Sequence, residues 1–145
     1  MLTRPTTVAV MARSLQETGL WVKRLQVQHQ RAANDALHRL GLTIVQWDAL
    51  RHFAAHPGAS LHDLAVLTFQ TDQSMGALAG RLVARGLLRR VSGPGRAVRH
   101  ELTAAGTALF QEAADLMDVV LAASFEPLSA AELATFDELL RRLVR

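Results

Sequence analysis

At Gly93-Pro94-Gly95 the pattern of this chain changes period, and that change constrains its architecture more than any other feature. A glycine-proline-glycine run can continue neither a helix nor a central strand, and it suits a tight reversal. Short runs flank it, Leu87 to Ser92 and Ala97 to Leu102, and in the second Val98, His100 and Leu102 alternate with Ala97, Arg99 and Glu101. Alternation about a turn predicts a β-hairpin. Elsewhere the apolar residues recur mostly at helical intervals, so a single hairpin has to be housed among helices.

Val8, Met11, Leu15, Leu20, Val22, Leu25, Val27, Ala33 and Leu37 predict helix from Val8 to about Arg39, with Gly19 expected to break it into a short helix and a long one. Gly41 suits a left-handed stop, and Thr43 with Gln46 three residues on is a capping box. The helix it opens carries Ile44, Trp47, Leu50, Arg51 and Phe53 and ends before Pro57-Gly58. Ser60 and Asp63 start a short helix to about Thr68. Thr71 caps the next, Asp72 to Arg85, whose Met75, Leu78, Ala79 and Leu82 form one stripe ended by Gly86. Thr103 caps a long helix to about Ser124, and Ser129 with Glu132 opens the last, which carries Leu133, Phe136, Leu139, Leu140 and Leu143.

Two short helices joined by a tight turn and followed by a hairpin describe a winged helix-turn-helix. The expected fold is therefore mainly α with a small β-hairpin wing, in one domain of residues 1–145. The winged lobe spans 42–103, and helices at 6–40 and 104–145 flank it. A lobe of this size can cover only part of the apolar stripes on those flanking helices, which predicts dimerisation through them.

Charge is segregated along the chain. From Gln73 to His100 there are six arginines and no aspartate or glutamate, whereas residues 111–145 sum to −4. Arginine forks onto phosphate oxygens, and a one-signed patch on a helix and its adjoining hairpin suits a duplex. The helix from Asp72 would enter a major groove with its N-terminal turn leading, placing Thr71, Gln73 and Ser74 nearest the base edges or phosphates, with Gln73 as the base reader. Arg81, Arg89 and Arg90 would hold backbone, and Arg96 and Arg99 would reach a minor groove from the wing. The bland alternative is a solvated face, with Arg85 and Arg99 pairing with Glu101 or another carboxylate.

Half of the residues are apolar, which suffices for a core, and the absence of cysteine excludes disulfides, thiolate metal sites and thiol chemistry. Fully apolar stretches fall far short of the ~20 residues that span a bilayer, and no export signal is recognisable, so a cytoplasmic protein without membrane contact is expected. No glycine-rich phosphate loop, nucleophile elbow or clustered carboxylate pair is present, so neither an enzyme nor a cofactor is expected. His52 and His56 stand one helical turn apart, a ligand-competent spacing. A metal-responsive alternative would need His29, His38, His62 or Asp48 to join them, and no metal site is assigned.

Taken in order, several pieces resemble the MarR family of bacterial transcriptional regulators, from about Leu20 to Leu143. They are Gly41-Leu42-Thr43 with Gln46 and Leu50; Ser60-Leu61 with Leu64-Ala65; Ser74-Met75 before Leu78 and Leu82; Gly86-Leu87-Leu88 with Arg90; Leu102-Thr103 before Gly106; and Leu128-Ser129 with Glu132-Leu133. The wing departs from the family pattern: Arg96 matches its arginine, but Pro94 and Gly95 replace an aspartate and a basic residue, and Ala77 stands where the recognition helix often has a cation. The resemblance implies a homodimeric DNA-binding regulator, a repressor more often than an activator, on an inverted repeat of double-stranded DNA. It also implies a small aromatic or phenolic effector, with Trp21, Leu25, Gln28, His29, Trp47 and Arg51 as candidate pocket walls. The rival reading is a winged-helix protein-interaction module with weak, non-specific DNA binding.

Overall fold

Five helices of this chain start at a serine or threonine whose side chain accepts a backbone N–H three residues on. These caps are Thr43, Ser60, Thr71, Thr103 and Ser129. Gln46, Asp63 and Glu132 return the bond to the capping residue's own N–H, completing three capping boxes. Each cap satisfies donors that a helix terminus otherwise leaves unpaired.

The computed structural model describes residues 7–92, 95 and 98–144, with side chains from Ser14 onward. In chain order the elements are α1 (Thr7–His38), α2 (Ile44–Ala55), α3 (Leu61–Leu67), α4 (Asp72–Ala84), β1 (Leu88–Ser92), β2 (Val98–Leu102), α5 (Ala104–Phe125) and α6 (Ala130–Leu143). One expectation is corrected here: α1 runs unbroken through Gly19 for 32 residues. A mid-helix glycine costs only about 1 kcal/mol relative to alanine, less than the turns on either side recover.

β1 and β2 pair antiparallel, Leu88 opposite Leu102 and Ser92 opposite Val98, and Gly95 in the connection has a φ of 80°. The core lies between the hairpin, the three short helices and the crossing of α1 with α5. Leu37, Leu50, Leu64, Met75, Leu82 and Leu88 are fully buried there, joined by Ala33, Ala113 and Met117 from the long helices. Gly106 lets α5 rest on the wing: a Cβ at that position would lie 2.0 Å from the Leu87 carbonyl oxygen. The same strand entry is held by the Thr103 hydroxyl, which donates to the Gly86 carbonyl at 2.6 Å. Gly41, in the left-handed region at φ 65°, stops α1 before α2, and the Arg85 guanidinium donates to its carbonyl at 2.8 Å. Arg85 therefore pins the α1–α2 turn to the end of α4 and pairs with no carboxylate among the described residues.

Candidate functional site

The cap of α4 decides what its first turn presents. Thr71 Oγ1 accepts the Ser74 N–H at 3.0 Å and donates to Ser74 Oγ at 3.0 Å, so these two hydroxyls are already engaged with each other. Gln73, between them, is exposed without a partner among the described residues and projects as a free amide. Gln73, Ser74 and Arg81 line a shallow groove of ≈ 410 Å³ with Val45, Gln70, Ala77 and Leu78. Asp72, which would repel a phosphate at this helix end, is met by the His62 ring at 2.9 Å. The pair joins the first turns of α3 and α4 at the surface.

The arginines divide by partner. Arg81 and Arg90 are exposed and make no ion pair among the described residues, so both charges face solvent. Arg89 is paired across the strands with Glu101, its Nε donating to Oε1 at 2.6 Å. Because that pair is exposed it is weak, and a phosphate can compete for it. Arg99 is half-buried on β2. Its charge, after the Ser60 hydrogen bonds and the His62 ring, helps hold the Asp63 carboxyl below the usual carboxylate range. Arg96, expected at the wing tip, lies outside the described residues, as does Pro94.

A separate apolar cavity of ≈ 670 Å³ opens between α1, the end of α5 and α6. Of the six residues expected in an effector pocket, Trp21, Leu25 and His29 line it, together with Val22, Ile44, Phe125, Phe136 and Leu140. Thr18, Gln26, Gln30 and His29 are its polar lining; His29 Nε2 meets the Ser124 hydroxyl at 2.5 Å while its ring stands edge-on to Phe125. Gln28 is not among these lining residues; it lies on a basic stretch of α1 with Lys23, Arg24 and Arg31. Trp47 packs against the core with its indole N–H buried and unpartnered, and Arg51 lies over that ring while bonding Asp48 at 2.6 Å. Phe136 and Leu140 were expected only as part of the last helix's apolar stripe, and Phe125 was not singled out, because an apolar residue at helical spacing looks the same facing a cavity or a core.

The histidines do not converge. His52 and His56 stack at 5.7 Å, while His29 is engaged by Ser124 and His62 by Asp72. No group of three metal-ligating side chains occurs among the described residues. Nor is any single described helix long and apolar enough to cross a membrane.

The capped α3–turn–α4 pair and the hairpin behind it define a winged helix-turn-helix. Residues 40–97 match the model of the MarR family. Among solved structures, the chain is 28% identical to the Mycobacterium tuberculosis MarR-family protein Rv2887 in complex with p-aminosalicylic acid, with a TM-score of 0.74, covering 88% of this chain and 98% of that one. The same protein in complex with DNA matches at 27% identity and a TM-score of 0.75, over 88% of this chain and 97% of that one. A cysteine-to-serine mutant of Escherichia coli MarR with operator DNA shares the fold at a TM-score of 0.81 and 21% identity, over 91% and 96% of the two chains. No curated protein is significantly similar in sequence. Residues 40–97 thus carry the sequence pattern of the MarR family, and the chain as a whole shares the fold of these winged helix-turn-helix proteins.

Proposed function

We propose that the protein is a transcriptional repressor that binds an inverted repeat of double-stranded DNA as a homodimer and is released by a small aromatic ligand. The observation that carries this reading is the coincidence of an exposed polar edge on α4 with uncompensated cations. Gln73, Ser74 and Arg81 line one groove, and Arg90 on the adjoining wing makes no ion pair among the described residues. In this reading Gln73 reads a base edge, and Thr71 and Ser74 position the helix end. Arg81, Arg89 and Arg90 hold phosphates, and Arg96 and Arg99 reach the adjacent groove.

Two copies joined through α1, α5 and α6, outside the DNA-binding lobe at 42–103, would set recognition helices on half-sites about one duplex turn apart. The relatives crystallised with DNA support the first half of the proposal, and the one crystallised with p-aminosalicylic acid supports the second. The effector would occupy the cavity of Trp21, Leu25 and His29, where aromatic walls favour a planar ring and His29 or Gln30 a polar substituent. To release DNA it must bind the two conformations of the dimer unequally.

The test is fluorescence anisotropy with duplex from upstream of the protein's own gene, against a scrambled duplex, across a salt series. Preference for the native duplex by ~10³-fold or more is expected. Arg81→Ala should weaken both duplexes alike and lower the salt slope by about 1, whereas Gln73→Ala should cost ~1–3 kcal/mol on the native duplex alone. Equal, weak binding to both duplexes would instead favour a protein-interaction module. Salicylate added to the complex should quench Trp21 fluorescence and lower the anisotropy together.

A further inference from the structure

Phe69 stands in the turn between α3 and α4 with a φ of 55°, where the four other described residues in the left-handed region are all glycine. The turn imposes that conformation. The Gln70 N–H reaches the Ala65 carbonyl at 2.8 Å and the Phe69 N–H the Val66 carbonyl at 3.3 Å, which is the Schellman closure of α3 with Phe69 at its left-handed position. Glycine fits there without the Cβ clash that every other L-residue meets. This chain places phenylalanine there instead, and leaves the ring 99% exposed. The fold thus bears both a strained backbone and a bare aromatic ring, and neither contributes to the core.

The surroundings indicate what would cover the ring. Val66 and Leu67 are exposed beside it, and the next residue, Gln70, lines the groove of Gln73, Ser74 and Arg81. Phe69 is therefore one residue removed in the chain from the α4 edge proposed to contact DNA. Residues 73–100 carry six arginines and no acid, and the nearest carboxylate in sequence, Asp72, is occupied by His62. A polyanion that also offers apolar faces fits such a surface. Duplex DNA has two such faces, the thymine C5-methyl group and the deoxyribose ring.

We propose that Phe69 is a DNA-contacting residue that packs on a thymine methyl group and the adjoining sugar at the edge of the recognition helix, adding a thymine preference that the polar side chains of α4 do not supply. This rests on the DNA-binding reading above, and one experiment separates the two. A randomised duplex pool is enriched with the wild-type protein; the enriched duplex is then titrated with wild type and Phe69→Gly, with each thymine in turn replaced by deoxyuridine, which lacks the methyl group. Phe69→Gly should melt at an equal or higher temperature yet bind about tenfold more weakly, as loss of a partly buried phenyl contact implies. One deoxyuridine should weaken wild type several-fold and leave the variant unaffected. Undiminished binding by Phe69→Gly would overturn the contact, including in the case that the ring serves a protein partner. Weaker binding without any deoxyuridine effect would overturn the thymine preference. Failure of the wild type to enrich any sequence would remove the regulator reading itself.

Discussion

α4 and α6 are nearly equal in length, 13 and 14 residues, and both are amphipathic, yet α4 buries Met75, Leu78, Ala79 and Leu82 while α6 buries none of its residues. The difference extends to the regions they belong to. The winged lobe closes its core within the chain, with its caps satisfied and its wing seated on α2 and α5. At the other end of the molecule Leu139, Leu140 and Leu143 of α6, and Leu15, Leu20, Trp21 and Val22 of α1, stand exposed. Burying a leucine is worth about 1.5–3 kcal/mol, so the row of them left in water is the surface that the proposed dimer would cover. The lobe closes its own core, whereas the terminal helices leave apolar side chains exposed.

The largest expected effect breaks the junction between these regions. Gly106→Ala would put a Cβ 2.0 Å from the backbone oxygen of Leu87, where neither partner is a flexible side-chain end. A loss of ~3 kcal/mol or more in urea denaturation is expected, and a change within ±0.5 kcal/mol would show that α5 is free to slide on the wing.

Next, Leu139→Glu combined with Leu143→Glu alters the terminal helices alone, since both side chains are exposed in the single chain. If a second copy covers α6, the dimer dissociation constant measured by sedimentation should rise roughly 100-fold, at about 1.5 kcal/mol per leucine, with monomer stability hardly changed. An unaltered dimer would place the association elsewhere.

The winged lobe can be probed by pH. His100 is 6% exposed at the base of the wing, packed against Phe53 and opposite Arg90 on β1. Burial first, and the Arg90 charge second, push its imidazole below the ordinary histidine value. Its neutral form therefore supports folding fully above the unfolded value of ~6.5, and that support is lost as pH falls from there toward the folded value, because the unfolded chain takes up the proton first. The melting temperature should fall with acidification, and His100→Phe should flatten that slope. His52, also lowered chiefly by burial, would leave a residual slope in the variant.

The smallest stability effect carries a functional sign. Glu101→Gln removes an exposed partner of Arg89 and should change stability by less than ~1 kcal/mol. The freed Arg89 should bind DNA more tightly and steepen the salt dependence, both readable by anisotropy. Unchanged binding would confine Arg89 to a role within the hairpin.

What could be read from residues alone was governed by bonds that close within a few positions. Thr43 with Gln46, Ser60 with Asp63, and Ser129 with Glu132 announce helix starts because donor and acceptor lie three residues apart. Gly93-Pro94-Gly95 announces a reversal between β1 and β2 in the same way. Gly19 was misread because a local breaker signal is worth only about 1 kcal/mol, which a long helix packed along α5 absorbs. The charge run was legible as a segment, whereas the partner of each arginine was not. Arg85 finds the Gly41 carbonyl 44 residues away, and Arg89 finds Glu101 across 12. Likewise His29 meets Ser124 across 95 residues, and only the crossing of α1 with the end of α5 makes that cavity wall.

The sequence by itself therefore determined the order of helices, their caps, the hairpin and the placement of positive charge, since each depends on short-range hydrogen bonding or on composition. Tertiary structure decided which cations remain free, which aromatic residues face a cavity, and that Phe69 sits strained and bare beside the recognition helix. Those outcomes depend on which distant surfaces meet when the core closes, and no local pattern records that.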